Sequence, residues 1–249
     1  CFSSPFDETA VDLLEELNTP FYKVASPEIT HIPLIKKIAK TKKTIIMSTG
    51  MANLKEIDLA YKVAKQNGAK SIIILYCVSK YPAQISDYNF NNIKILKKRF
   101  GWKIGFSDHS LDNRVAATAI ACGAELIEKH IALRNEKKSP DYKFSLKDKE
   151  IKKYIDNINE ISAMKGKNFF YRNLTESKNL KYRQSIYSIS KISKGDKITK
   201  DNIKVLRPAN GLHPIYFEEL LNKKCPINIK KGTPLNQLLL KKLKIKKKI

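Results

Sequence analysis

The residue types best suited to chemistry gather in two short stretches. Gly105-Phe106-Ser107-Asp108-His109 and Leu126-Ile127-Glu128-Lys129-His130 each carry a small apolar run that ends in a histidine. That is the pattern of a buried parallel strand delivering a polar side chain at its C-terminal tip. Between them, Val115, Ala116, Ala119, Ile120 and Ala121 recur at helical spacing within Leu111 to Cys122, and Gly123 stands where such a helix would stop. The unit reads strand, helix, strand. It places His109 and His130 at adjacent strand ends of one sheet, where two imidazoles can share a divalent metal ion. His31 and His213 have no comparable setting and are read as structural residues.

The rest of the chain must supply the scaffold for those two tips. Cys1 to Phe6 reads as the end of a strand; Phe21 to Ala25, Thr44 to Met47 and Ser71 to Cys77 read as further buried strands. Helices are expected from Glu8 to Leu17 behind an Asp7 cap, around Leu34 to Ala39, from a capping-box pair Asn53/Glu56 to Gly68, near Ile93 to Phe100, and from a Ser145 cap to about Gly166. Six regular strand-helix units imply a parallel α/β sheet with right-handed crossovers. Polar residues mark every strand end: Ser4, Ser26, Ser48, Ser79, Ser107 with His109, and His130. Convergence of that kind favours a (β/α)8 TIM barrel, whose active site is built from the C-terminal ends of its strands. Such a barrel needs two more units, so its first two strands are expected to be missing from this chain.

After Gly166 the texture changes. The expected division is residues 1–166 as a partial barrel, 167–184 as a polar, lysine-rich linker, and 185–249 as a small β-rich domain. Ser185 to Ile192 and Ile198 to Leu206 are its clearest strand signals, separated by a Lys194-Gly195-Asp196 turn. Leu212 to Leu221 reads as a short helix, and Ile227 to Ile229 and Pro234 to Leu239 as further strand signals flanking a Lys231-Gly232-Thr233 turn. The run from Lys241 to Ile249 reads as a solvated, frayed end.

With 42% hydrophobic residues in 249, the chain can bury a substantial core. Its net charge of +24 invites a nucleic-acid reading. Yet only six of its 48 basic residues are arginine, and the lysines are spread over helix faces, loops and the tail, so no nucleic-acid role is expected. No stretch approaches a membrane span and no leader precedes the first strand, which points to a cytoplasmic protein. Cys1, Cys77, Cys122 and Cys225 lack paired spacing, and neither disulfides nor a zinc knuckle is expected.

The segments Phe2-Ser3-Ser4-Pro5-Phe6, Tyr22-Lys23-Val24-Ala25-Ser26-Pro27-Glu28, Ser48-Thr49-Gly50-Met51, Cys77-Val78-Ser79-Lys80-Tyr81-Pro82, Ser107-Asp108-His109 and Glu128-Lys129-His130 resemble, in order and spacing, the sialic acid synthases. That resemblance implies condensation of phosphoenolpyruvate with an acylated amino sugar, and a C-terminal antifreeze-like (SAF) domain, which Ser185 to Leu240 resembles. Ala25-Ser26 and Gly211-Leu212-His213-Pro214 are most similar to pseudaminic acid synthases, whose acceptor is a diacetamido-trideoxyhexose. The alternatives are an N-acetylneuraminate or legionaminate synthase, and, in a different class, a non-catalytic truncated or split fragment. Family members begin earlier, with strands that supply a catalytic glutamate and a phosphate-binding lysine.

The resemblance also implies roles at the site. Lys23, with the hydroxyls of Ser26, Ser48 and Ser107, suits a small, highly charged anion, and Ser4 and Ser79 are further substrate-binding candidates. His109 and His130 would hold Mn2+ or Mg2+, and with Lys23 they form the expected catalytic set. Tyr81 would pack on the acceptor and Asp141 would grip its hydroxyls. Arg183 would reach a neighbouring subunit's barrel, which implies a domain-swapped homodimer.

Overall fold

The computed structural model describes residues 1–101, 103–166, 169–246 and 248. Lys167 and Asn168, the first residues of the expected linker, and Ile249, the last of the expected tail, lie outside them. The chain divides into two compact units, Cys1–Lys167 and Asn168–Ile249.

In the first unit helices alternate with strands: α1 Glu8–Glu16, β1 Phe21–Val24, α2 Ile32–Lys40, β2 Thr44–Ser48, α3 Leu54–Gln66, β3 Ser71–Cys77, α4 Asn91–Phe100, β4 Ile104–Asp108, α5 Asn113–Ala121, β5 Ile127–Lys129 and α6 Lys149–Lys165. The strands form one parallel sheet in the order β1-β2-β3-β4-β5. Its helix-facing side is the core, where Ile35 and Ile38 of α2, Ala60 of α3, Ile93 of α4 and Ala119 of α5 are completely buried. Local signals account for the boundaries. Asp7 caps α1 through the Ala10 amide, and the Asn53/Glu56 capping box starts α3. His31 accepts from the Leu34 amide at 3.1 Å, so its role is to cap α2. Among the described residues no helix is long and apolar enough to cross a membrane.

Several expectations need correcting. Cys1 to Phe6 is not a strand: it runs beside β1, where the Lys23 amide donates to the Ser3 carbonyl at 3.2 Å and the Phe2 and Phe21 rings pack at 4.2 Å. The described sheet therefore has five strands rather than six. Ser145 does not cap α6: its hydroxyl donates to the Asp141 carbonyl at 2.7 Å, and the N-cap position belongs to Asp148.

The sheet is an arc with two edges. Along the outer side of β1 the Lys23 amide pairs with the Ser3 carbonyl, and beyond the tip of β5 the Ile131–Leu146 bridge begins another pairing. Between β5, α5 and α6 lies a cavity of about 590 Å³ lined by Ile127, Ile131, Ile151, Ile155 and Ile158 among others. Open edges beside apolar surface promote association. These 249 residues expressed alone should therefore form open-ended aggregates, detectable by sedimentation velocity. A stable monomer at tens of micromolar, an order of magnitude chosen to exceed ordinary weak association, would contradict this.

In the second unit, α7 Leu174–Lys178 and a 3-10 turn at Asn179–Tyr182 occupy the stretch expected as a linker. They precede β6 Ser185–Ser188 and β7 Ile203–Leu206, an antiparallel pair, then α8 Phe217–Leu220 and α9 Gln237–Lys242. Single bridges Ile186–Leu212, Tyr187–Pro234 and Ile192–Ile229 close the rest around Ile186, Ile192, Ile198, Ile203, Leu220 and Leu239. Gly211 is required by close packing, because a Cβ there would lie 2.8 Å from the Ile186 carbonyl oxygen and 3.0 Å from that of Leu235. His213 caps the turn after it through the Ile215 amide at 3.2 Å. The strand signal at Pro234 to Leu239 gives way to α9 at Gln237. Nor is the tail frayed throughout: Leu243 and Ile245 pack on the core and the Lys248 amide donates to the Tyr216 hydroxyl at 2.7 Å.

Candidate active site

The C-terminal tips of the five strands open into one polar cleft of about 260 Å³, lined by Ser4, Lys23, Ser26, Ser48, Tyr81, Ser107, His109, Glu128, Lys129 and His130. Eight of the eleven expected site residues meet there. Asp141 sits beside them, its Oδ2 3.3 Å from His130 Nδ1. Ser79 does not line the cleft but a neighbouring cavity with Thr49, Met51 and Asn53; its hydroxyl is buried without a hydrogen-bond partner among the described residues, near Ser26 Oγ and Cys77 Sγ. A Cβ on Gly50 would come within 2.0 Å of Ser79 Oγ and 2.9 Å of Ser26 Oγ, so the glycine lets both hydroxyls approach the backbone. Ser26 Oγ also accepts from the Gly50 amide at 3.0 Å. Arg183 belongs to the second unit, exposed just before β6.

Lys23, near the end of β1, is 8% exposed, and burying an ammonium group demands partners. It donates to Ser48 Oγ at 2.7 Å and lies 3.5 Å from Glu128 Oε1. Ser107 donates to the same Glu128 oxygen at 2.7 Å. A cation and several serine hydroxyls thus face one small space, with the Glu128 carboxylate holding the place that a compact anion would compete for.

His109 and His130 stand with ring centroids 5.3 Å apart. His109 Nδ1 is 2.8 Å from the Val78 carbonyl oxygen, which can only accept, so Nδ1 carries the hydrogen and Nε2 holds a lone pair. Burial, the largest influence, pushes the His109 pKa down, keeping the ring neutral. Nδ1 of His130 faces the Asp141 carboxylate, 3.3 Å from its Oδ2. Imidazoles whose second nitrogen is tied to an oxygen are the usual form of metal-binding histidines. The pair therefore fits a divalent ion. Among the described residues no group of three or more His, Cys, Asp or Glu side chains is placed to hold one, so most coordination positions would fall to substrate and water. Tyr81 covers the pair, its ring 4.3 Å from His109 and 6.1 Å from His130.

Glu128, Asp108 and Lys129 were missed as site residues, although strand periodicity could have found them. Side chains alternate across a strand. Glu128, two before His130, shares its face, and the register sets Glu128 opposite Ser107. Asp108 and Lys129 pair on the other face, with Lys129 Nζ 3.3 Å from Asp108 Oδ2, and both side chains are buried. Removing one partner of such a pair strands a buried charge, at a cost of roughly 3–5 kcal/mol. Lys129→Met should lower the unfolding free energy by about that amount. Urea denaturation reads it, and a change of less than about 1 kcal/mol, the size of an ordinary surface substitution effect, would contradict the pairing.

The NeuB family model matches residues 1–169, and the SAF domain model matches residues 183–240. The chain is 40% identical over 231 residues to N,N'-diacetyllegionaminic acid synthase of Campylobacter jejuni, covering 92% of this chain and 69% of that protein. It is 38% identical over 236 residues to pseudaminic acid synthase of Helicobacter pylori, covering 94% and 69%. It is also similar to the crystal structure of N-acetylneuraminic acid (sialic acid) synthetase from Leptospira borgpetersenii in complex with citrate. There the TM-score is 0.68 at 32% identity, over 72% of this chain and 63% of that one. A parallel arc of strands whose tips form the cleft, a matched NeuB segment and a SAF segment after it agree with one another: the chain belongs to the NeuB family, the sialic acid synthases.

Proposed function

We propose that the protein containing this chain condenses phosphoenolpyruvate with a diacetamido-trideoxyhexose, giving pseudaminic acid and phosphate, and that it needs a divalent metal ion to do so. The observation that carries this reading is the convergence of Lys23, serine hydroxyls and two ligand-ready histidines in one cleft. Lys23, Ser26, Ser48 and Ser107 hold the phosphate and carboxylate of phosphoenolpyruvate. As water adds at the phosphate-bearing carbon, the methylene carbon forms the new bond to the sugar aldehyde carbon, and phosphate leaves. Glu128 fixes the positions of Ser107 and Lys23, whose donors turn from its carboxylate to the anion when that binds. His109 and His130 would hold Mn2+ or Mg2+, which supplies a Lewis acid for the aldehyde oxygen. Tyr81 packs on the acceptor, and Asp141, whose other oxygen is free of His130, takes its hydroxyls. Arg183 of a partner subunit completes the acceptor side in a swapped homodimer, and the protein acts in the cytoplasm.

Ala25-Ser26 favours the pseudaminic acceptor, with Ser26 lining the cleft. The Gly211 to Pro214 motif weighs less, because packing and capping within the second unit account for it. A second reading, a legionaminic acid synthase, is favoured by the 40% identical relative. Phosphate release measured side by side with the altro-configured diacetamido sugar, the acceptor of the legionaminic branch and N-acetylmannosamine tests the choice. Faster turnover of the altro sugar is expected, and equal or reversed preference would move the protein to another branch.

A further inference from the structure

Asp108 and Lys129 each stand one residue before a histidine of the site, opposite one another in the β4–β5 register. Asp108 is 1% exposed and fully engaged. Its Oδ1 accepts from the Ser110 amide at 2.8 Å and the Ser110 hydroxyl at 2.7 Å, while its Oδ2 accepts from the Tyr154 hydroxyl of α6 at 2.8 Å and lies 3.3 Å from Lys129 Nζ. Lys129 also donates to the carbonyls of Asp108, at 3.2 Å, and Ser110. The cluster thus ties together both strand ends that carry the histidines and anchors them to α6. Stability alone does not account for it, since the desolvation of a buried ion pair largely offsets its attraction and apolar residues of like volume would serve as well. What directional bonds add is fixed geometry.

The strand that most needs such fixing is β5, whose ladder with β4 has three residue pairs and whose three residues are all half-buried. We infer that Tyr154 is a positioning residue: through Asp108 and Lys129 it sets the separation of His109 and His130, and hence the affinity of the site for a divalent cation. The inference rests on the reading of the two histidines as metal ligands. Tyr154 is on the helix side of the sheet and lines the cavity behind β5, not the cleft. Its influence on the site runs through the strand tips.

Direct titration of the protein containing this chain with Mn2+, followed by the paramagnetic resonance of the free ion, tests this without any turnover. The variants are Tyr154→Phe, which removes one hydroxyl, His109→Ala, and Val63→Ala as a control that thins the core on α3, away from the cluster. His109→Ala should abolish saturable binding. Tyr154→Phe should weaken it about tenfold, as loss of an outer-shell partner typically does. Val63→Ala should bind as the parent does, while its unfolding midpoint falls at least as far as that of Tyr154→Phe. Parent-like affinity in Tyr154→Phe with loss in His109→Ala would overturn the positioning role alone. Equal weakening in Val63→Ala would reduce the effect to general destabilisation and overturn it too. Full affinity in His109→Ala would overturn the metal reading and the inference with it.

Discussion

Replacing His109 or His130 by alanine should reduce phosphate release from phosphoenolpyruvate by about a thousandfold or more, the scale of losing several kcal/mol of Lewis-acid stabilisation. Nδ1 of His109 is held by the Val78 carbonyl and Nδ1 of His130 faces Asp141, which leaves Nε2 of each ring for an ion. Neither is interchangeable with the other, since a bound ion would take one nitrogen from each. The fold should survive, because His109 gives up two hydrogen bonds, to the Val78 carbonyl and Ser107 Oγ, worth roughly 1 kcal/mol each, and His130 is only half-buried. Circular dichroism and an unfolding midpoint beside the assay separate the two effects. Normal turnover in either variant would remove the histidines from the mechanism.

Lys23→Met should raise the KM for phosphoenolpyruvate steeply and lower kcat/KM by about 10²- to 10³-fold, the range seen when one preorganised charge-stabilising donor is removed. The same variant should leave Mn2+ affinity near that of the parent, because Lys23 bonds to Ser48 and Glu128 and not to either histidine. That split is the informative part. A substitution that merely disturbed the sheet would weaken anion and metal sites together, whereas loss of the anion's cation weakens only one. Methionine keeps the stem of lysine, so the apolar contacts of β1 with β2 persist. An unchanged KM for phosphoenolpyruvate would displace Lys23 from the anion site.

Much of this arrangement is legible in the sequence where one physical constraint dominates. Ser71 to Cys77 reads as a buried strand because a parallel strand covered on both faces tolerates little polarity, and β3 has those same bounds. Asn53 and Glu56 mark the start of α3 because few other pairs satisfy its free amides. The site hydroxyls and histidines are legible because a strand tip is where a polar side chain can leave an apolar core.

Other features depend on tertiary partners that local pattern does not encode. Cys1 to Phe6 has strand-like composition, but a strand exists only where a neighbour completes the ladder, and Ser3 supplies one bond. A histidine just past a strand end is a stronger signal than the glutamate before it, although alternation places residue 128 on the same face as residue 130. The Asp108–Lys129 pair is invisible to composition: a buried ion pair and two solvated charges look alike until the helix that covers them is in place. The lysines of the tail likewise conceal Leu243 and Ile245, which dock on the second core.

The central claim is that this cleft joins an anion site to a two-histidine metal site for one condensation. Its most direct test is the initial rate of phosphate release from phosphoenolpyruvate plus acceptor sugar by the protein containing this chain, measured as prepared, after exhaustive chelation, and after Mn2+ is restored. The account predicts release that requires both substrates, disappears with the metal and returns with it. Release that continues unchanged after chelation, or that proceeds without the sugar, would contradict it.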